Sequence, residues 1–159
     1  MSKIQLVCIG KTKNSLWEPA VREYTKRISR FCTLEILEIK ENILPDHPSL
    51  KIIENALNKE GIEIEEKKTK ESVGIVLDSQ GKPLNSMEFS ALLQQHLYIE
   101  GHSITFIIGS SYGLSPAIKE KYRSISFSKL TFPHQLCRIL LLEQLFRGFK
   151  ILAEETYHK

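Results

Sequence analysis

Hydrophobic residues along this chain fall into two alternating patterns. Short extended runs predict strands at Lys3–Ile9, Thr33–Ile39 and residues 73–78, 103–108 and 125–127. Between these runs apolar positions recur at helical spacing, and the predicted helices begin at Ser15, Ser49, Ser86, Ser115 and His134. Alternating strands and helices predict an α/β fold, a mostly parallel sheet with helices on both faces, because two of the strands are almost continuously apolar.

Local signals set further boundaries along the chain. The helix from Ser49 is expected to end near Lys68, and the polar segment at its end is expected to be exposed or frayed. Gly81-Lys82-Pro83 predicts a turn, and the helix from Ser86 is expected to reach about Tyr98. Since no internal repeat and no Gly/Ser linker divides the chain, residues 1–159 are expected to form a single domain.

Composition narrows the class of protein. With 42% hydrophobic and 26% charged residues the chain is typical of a globular domain and is neither a fibre nor a disordered tail. No apolar run approaches the roughly 20 residues of a membrane span, and the first residues lack a signal-peptide pattern, so we expect a cytoplasmic protein without membrane contact. Cys8, Cys32 and Cys137 have apolar neighbours and no metal-ligand spacing, which predicts small buried residues rather than a metal site or disulfide.

Charge is nearly balanced at +3, but basic residues concentrate early in the chain. The segment from Lys11 to Arg30 contains six basic residues and only two acidic ones, Glu18 and Glu23. Charge alone favours a solvated helix face. Contact with nucleic acid is the alternative, and Arg22 and Lys26 are then the candidate RNA-binding residues.

Three loops are expected to carry the functional site, because ligands of open parallel sheets bind outside the carboxyl ends of the strands. These loops follow Asp78, Ile108 and Phe127. The loop after Ile108 contains glycines that let backbone amides approach a ligand, although a structural turn explains them equally well. The segment 126–134 offers backbone groups and apolar walls suited to an adenine. His134 is a general base, a phosphate contact or an ordinary first helical residue, and the sequence alone favours the last.

The final helix, His134–Leu152, is apolar almost all round apart from a stripe of Glu143, Arg147 and Lys150. Such a helix is central in its fold or packs against a second subunit. Arg138 lies within the apolar arc and needs an anionic partner or substrate, unless its side chain reaches solvent at the first turn. The closing Tyr157-His158-Lys159 combines an aromatic ring, a titratable base and a cation, although chain termini are ordinarily frayed.

These segments together resemble the small SPOUT-class methyltransferases that modify N3 of a pseudouridine in 23S large-subunit ribosomal RNA. The resemblance extends over the whole chain, through IQLVCIGK, LDSQGK, IIGSSYGLS, SFSKLTFPHQLCRILLLEQLFRGFKI and the closing YHK. It implies a C-terminal trefoil knot, a homodimer, S-adenosylmethionine bound in the knot, and a substrate within assembled ribosomes.

The resemblance also implies roles for individual residues. Cofactor contacts carry over onto Leu77, Gly109, Ser128, Lys129, Leu130, Thr131, Phe132 and Pro133. The usual second glycine of the loop is Ser110 here, which makes the backbone geometry at that position an open question. The catalytic candidates are His158, Tyr157, Arg138 and His134, and Lys159 is expected to contact RNA. His158, brought across the dimer interface, is the preferred base for the N3 proton.

Two alternatives from other classes stay open. One is a non-catalytic RNA-binding or ribosome-binding module that retains the same fold. The other is a flavodoxin-like nucleotide-binding enzyme, which the missing phosphate-loop chemistry weakens.

Overall fold

The computed structural model describes residues 1–12 and 16–159. Within these residues five strands form one sheet in the order β2-β1-β4-β3-β5, and every neighbouring pair is parallel. The strands are β1 (Lys3–Ile9), β2 (Thr33–Ile39), β3 (Val73–Pro83), β4 (Ile104–Ile108) and β5 (Arg123–Ser126). The predicted parallel sheet is therefore confirmed. A flavodoxin-like sheet has the order 2-1-3-4-5, so the topology excludes that alternative.

The helices are α1 (Glu18–Ile28), α2 (Leu50–Lys67), α3 (Ser86–Gln94), α4 (Pro116–Lys121) and α5 (His134–Leu152). The Ser49 and Ser115 side chains accept hydrogen bonds from the first turns of α2 and α4, as predicted. A π-helical turn, Gln95–Ile99, continues α3 to the expected end near Tyr98. The Ser15 cap predicted for the first helix lies outside the described residues.

Two apolar cores lie on opposite faces of the sheet. Leu6 of β1 faces the core that α3 and α5 cover, and its neighbour Val7 faces the core beneath α2 and α4. Both residues are fully buried. The near-continuous apolar strands are thus explained by helices on both faces, as predicted, in one α/β domain.

The turn predicted at Gly81-Lys82-Pro83 is wrong. Residues 78–81 leave the β3–β5 ladder after Leu77 pairs with Ile125, and the strand then resumes with Lys82 and Pro83 paired to β5. A partner strand more than forty residues later therefore overrides the local turn signal. The excursion brings residues 78–80 to the carboxyl end of the sheet.

The end of α2 agrees only in part with the prediction of an exposed or frayed segment. The exposed residues are Glu66, Lys67, Thr69, Lys70 and Glu71, but two others are buried. Ile64 is completely buried, and Lys68 is only 7% exposed. The Lys68 Nζ donates to the Ser72 carbonyl at 2.6 Å and to the Thr69 carbonyl at 2.9 Å. Hydrogen bonds to backbone carbonyls thus allow a lysine to be buried where the sequence pattern predicts solvent.

Within the described residues, no helix combines the length and the apolar character that crossing a membrane requires.

Candidate functional site

A cavity of about 810 Å³ opens at the carboxyl ends of β3, β4 and β5. Its size falls in the range of small-molecule sites, roughly 300–1,000 Å³. The loops after Asp78, Ile108 and Phe127 all line it, so the three loops predicted to carry the site meet at one cavity. The sheet order explains this arrangement, because β3 stands between β4 and β5.

The cavity brings together all the predicted cofactor residues except one. The lining includes Leu77, Gly109, Ser128, Leu130, Thr131, Phe132 and Pro133. Lys129 is exposed and is not among the lining residues. The walls combine apolar side chains with serine and threonine hydroxyl groups.

Side-chain hydroxyls shape the segment between β5 and α5. The Ser126 hydroxyl donates to the Ser128 carbonyl at 2.8 Å, and the Leu130 amide donates to the Ser128 hydroxyl at 3.0 Å. This turn holds Leu130 at the rim of the cavity with 70% of its surface exposed. Leu130 therefore belongs to neither apolar core and presents its side chain at the cavity.

Gly109 is required by the closure of its own loop. A β-carbon there would overlap the Gly113 carbonyl and lie 2.7 Å from the Leu114 Cγ. A bridge between Ser110 and Gly113 closes this loop. Among the described residues only Glu154 is a non-glycine residue with positive φ, so Ser110 occupies an ordinary backbone conformation in place of the second glycine.

His134 begins α5 and lines the cavity. Its ring lies against Gly10 at the end of β1, where a β-carbon would be 2.9 Å from the histidine Nε2. The Nδ1 atom is buried and has no hydrogen-bond partner in the protein. Burial lowers the pKa of His134, although the Glu41 carboxylate raises it in part. The neutral imidazole is therefore favoured near neutral pH, with one nitrogen available to a ligand.

Arg138 has its anionic partner within the same chain. The side chain is 1% exposed, and its guanidinium donates to Glu38 at 3.0 Å and to the Gly10 carbonyl at 3.1 Å. It also donates to the Thr12 hydroxyl, and the Thr12 amide donates to the same Glu38 carboxylate at 2.6 Å. Arg138 does not line the cavity. The structure agrees with the prediction that Arg138 has an anionic partner. It does not agree with the alternative that the side chain reaches solvent.

The C-terminal residues fold back on the far half of α5. The Tyr157 hydroxyl donates to Glu143 at 3.3 Å, and its ring packs edge-on against Phe146 at 4.9 Å. Arg147 lies 3.3 Å from the His158 Nδ1. Arg147 follows His134 by thirteen residues, about 20 Å along the helix axis. Tyr157 is thus packed rather than frayed. The three tail residues do not line the cavity of their own chain, although Leu140, three residues before Glu143, does.

The residues that follow α1 contact the end of α5 and this tail. Phe31 stacks on Phe149 at 5.4 Å, and Arg30 forms an ion pair with Glu155 at 2.5 Å. Arg22 pairs with Glu18 in an exposed ion pair, and Lys26 is exposed on the same helix. The RNA-binding candidates Arg22, Lys26 and Lys159 therefore belong to neighbouring elements, although the cavity is lined by none of them.

The three cysteines are packed as small apolar residues. Cys8 and Cys32 are buried, and Cys137 is half-buried. Burial raises the pKa of the first two thiols to about 12 and that of Cys137 to about 11. These thiols therefore stay protonated and unreactive, as their apolar neighbours predicted.

Sequence reasoning missed several residues at the site. Glu41 and Tyr112 line the cavity, and so does Lys119, which pairs with Asp78 at 3.0 Å. Tyr112 lies within the glycine loop that was singled out. Glu41 follows β2, and applying the carboxyl-end rule to every strand rather than to three of them would have found it.

Glu60 of α2 is a buried carboxyl group near the glycine loop. It is 2% exposed, and its Oε1 accepts from the Asn42 amide nitrogen at 3.3 Å while its Oε2 is buried without a partner. Burial raises its pKa above the ordinary 4.5, although the Asn42 and Ser110 side chains lower it in part. The ionised carboxylate is therefore costly at this position.

Replacing Glu60 with glutamine is expected to change the free energy of unfolding more favourably at pH 8 than at pH 5, with the wild type as the reference at each pH. Because the pKa of Glu60 is raised in the folded protein, its protonated carboxyl contributes to the stability of the wild type at low pH. This contribution is lost as the carboxyl ionises with rising pH. The relative gain is the difference between the variant and the wild type in the free energy of unfolding, measured by urea denaturation at both pH values. Glu54→Gln, an exposed change on the same helix, should show no such pH dependence. Equal stability differences at both values would contradict the argument.

The sheet and its cavity define a parallel α/β protein with a cavity of small-molecule size at the carboxyl edge. Two solved structures share the fold. One is a probable methylase family protein from Haemophilus influenzae Rd KW20, with a TM-score of 0.60 and 11% identity over 98% of this chain and 70% of that one. The other is a probable methyltransferase from Bordetella pertussis Tohama I, with a TM-score of 0.55 and 17% identity over 92% and 94%.

Sequence comparison is more specific. A family profile described as "Predicted SPOUT methyltransferase" matches residues 2–158, and the chain belongs to this SPOUT methyltransferase family. A protein of Clostridium botulinum (strain 657 / Type Ba4) named "Ribosomal RNA large subunit methyltransferase H" is 42% identical over 98% of this chain and 99% of its own length. A Clostridium perfringens (strain SM101 / Type A) protein, "Ribosomal RNA large subunit methyltransferase H 1", is 39% identical over the same shares.

Proposed function

We propose that this protein transfers a methyl group from S-adenosylmethionine to N3 of a pseudouridine in 23S large-subunit ribosomal RNA, acting in the cytoplasm on assembled ribosomes. The observation that carries the proposal is the near full-length similarity to proteins named for ribosomal RNA methyl transfer. The cavity adds support, since residues expected at the cofactor site converge there. The C-terminal trefoil knot, formed around the segment before α5, is part of the same proposal.

The residues of the cavity fit the cofactor. Leu77, Phe127 and Phe132 offer apolar surface for an adenine, and residues 109–113 line the cavity with them. The Asp78 carboxylate also lies at the cavity, where the Lys119 ammonium pairs with it at 3.0 Å. S-adenosylmethionine supplies a methyl group on a positively charged sulfur, so the protein has to align the acceptor nitrogen and remove its proton.

The proton at N3 requires a base. We assign this role to His158 of the partner subunit, with Tyr157 holding the tail in place and Lys159 contacting RNA phosphate. The tail does not line the cavity of its own chain, and a second copy would bring it to that cavity across the dimer interface. His134 of the same chain is the alternative base, since its ring lines the cavity and favours the neutral form. Arg138 is instead a positioning residue, because Glu38 already pairs with it.

The proposed shared site predicts a dimer. Leu136, Ile139 and Leu140 follow one another on α5 at helical spacing and remain only partly buried in the single chain. Sedimentation at micromolar concentration is expected to give about twice 18.3 kDa. Ile139→Asp should produce a monomer, while Ile62→Asp, an exposed position on α2, should leave the dimer intact. A wild-type monomer would contradict both the interface and a site built from two chains.

The direct test is an assay of methyl transfer. The protein is incubated with S-adenosylmethionine carrying a labelled methyl group and with ribosomes that lack this modification, and the labelled nucleotide is then mapped. Label at N3 of one large-subunit pseudouridine is the expected result. Binding to ribosomes without transfer would favour the non-catalytic module, and label elsewhere would overturn the proposed substrate.

A further inference from the structure

The cavity has a second side that the cofactor residues do not occupy. In the sheet order, β3 and β5 carry most of the predicted cofactor contacts, whereas β2 and β1 end on the opposite side of β4. Glu41 follows β2, and the ring of His134 rests on Gly10 after β1. Both residues line the cavity together with Ser111 and Tyr112 from the loop after β4. This half is polar and aromatic, in contrast with the apolar walls around Leu77 and Phe132.

A hydrogen bond fixes Glu41 on this side. Its Oε1 accepts from the Ser111 hydroxyl at 3.1 Å, which links the loop after β2 to the glycine loop seventy residues later. The other carboxylate at the cavity, Asp78, is paired with the cation of Lys119 at 3.0 Å. Glu41 is held by a neutral donor instead, so its carboxylate keeps its strength as a hydrogen-bond acceptor for a ligand.

The neighbouring ring suggests what kind of ligand this acceptor meets. Tyr112 is 47% exposed at the tip of the glycine loop, where an unstacked base can lie on its face. Beside such a ring, a carboxylate recognises a ring N–H and rejects a ring nitrogen without hydrogen. Pseudouridine carries hydrogen on both ring nitrogens, whereas N1 of uridine is bonded to the sugar.

We infer that Glu41 is a specificity-determining residue, whose carboxylate accepts a hydrogen bond from N1–H of the target pseudouridine while Tyr112 stacks on the base. This inference rests on the proposed function and adds to it the residue that distinguishes the modified nucleoside from uridine. A charge-assisted hydrogen bond that only one substrate can form is expected to change their ratio by about 10- to 100-fold.

The test compares two substrates, ribosomes with pseudouridine and ribosomes with uridine at the target nucleotide. Wild-type protein is expected to favour pseudouridine, and Glu41→Gln to lower the ratio of kcat/KM values about 10- to 100-fold while S-adenosylmethionine affinity, measured by calorimetry, stays unchanged. Ser111→Ala should lower the ratio less, because it frees the carboxylate without removing it. Glu66→Gln makes the same charge change on an exposed face of α2 and should keep the wild-type ratio.

Each outcome separates the inference from the function on which it rests. A wild-type ratio in a folded Glu41→Gln variant overturns the role of Glu41, and so does a loss of S-adenosylmethionine affinity, which would place Glu41 in the cofactor site. Equal activity of the wild type on both ribosomes also overturns it. Absence of transfer from the wild type to either substrate instead contradicts the proposed function itself.

Discussion

Removal of residues 157–159 is expected to abolish methyl transfer to ribosomes while S-adenosylmethionine affinity stays within about twofold of the full chain. The tail combines an aromatic ring, a base and a cation, and the cavity of its own chain is formed without it. Truncation should lower the free energy of unfolding by only about 1 kcal/mol, because it removes the edge-on contact of Tyr157 with Phe146. Transfer of labelled methyl, calorimetry and urea denaturation measure the three quantities.

Single substitutions distinguish the contributions of the tail residues to turnover and to ribosome binding. His158→Ala should lower turnover about 10²- to 10⁴-fold if the imidazole removes the N3 proton. Lys159→Ala should weaken ribosome binding and reduce its dependence on salt, because one phosphate contact is lost. Lys70→Ala, which removes an exposed cation outside the cavity lining, is the matched control and should leave turnover close to normal. A truncated protein that works at the normal rate would assign the proton transfer to His134.

Replacement of Arg138 by methionine is expected to lower the free energy of unfolding by about 3–5 kcal/mol, measured by urea denaturation. The guanidinium is buried and bonded to Glu38, Thr12 and Gly10, so its loss removes the contacts that hold α5 to the ends of β1 and β2. Cofactor affinity should fall as well, because the first turn of α5 and the ring of His134 then lose their support.

The exposed ion pair of Arg22 with Glu18 is the control for the effect of Arg138 on stability. Arg22→Met breaks the ion pair with Glu18, in which the side chains are 76% and 58% exposed, and should cost no more than about 1 kcal/mol. Unchanged stability of Arg138→Met together with a loss of turnover would contradict the positioning role and return Arg138 to the substrate contacts.

Most of the fold was predictable because buried parallel strands leave a strong sequence signal. The runs at Lys3–Ile9 and Thr33–Ile39 match β1 and β2 at both ends, and His134–Leu152 matches α5. The pairing of Lys82 and Pro83 with β5 was not predictable. It depends on a strand more than forty residues later, and this distant pairing overrides the local turn signal of glycine and proline.

The site was predictable in position but not in its pairings. The carboxyl-end rule located the cavity, and the resemblance supplied residues that line it. The sequence indicated that Arg138 needs an anion, but Glu38 lies a hundred residues earlier and only the packing of α5 on β1 and β2 selects it. The place of Tyr157 against Phe146 likewise depends on a chain reversal after Ala153 that no periodic pattern encodes.

The central position of β4 has a consequence for how the protein is made. Ile4 pairs with Ile104, so β1 keeps one open edge until a hundred further residues have left the ribosome. During synthesis β1 and β2 can pair early, but β3 cannot join them, because β4 has to stand between β1 and β3. Long-range closure of this kind slows folding and leaves an apolar strand edge exposed to other chains. The nascent chain is therefore expected to be most prone to aggregation, and most dependent on chaperones, before residue 108 emerges.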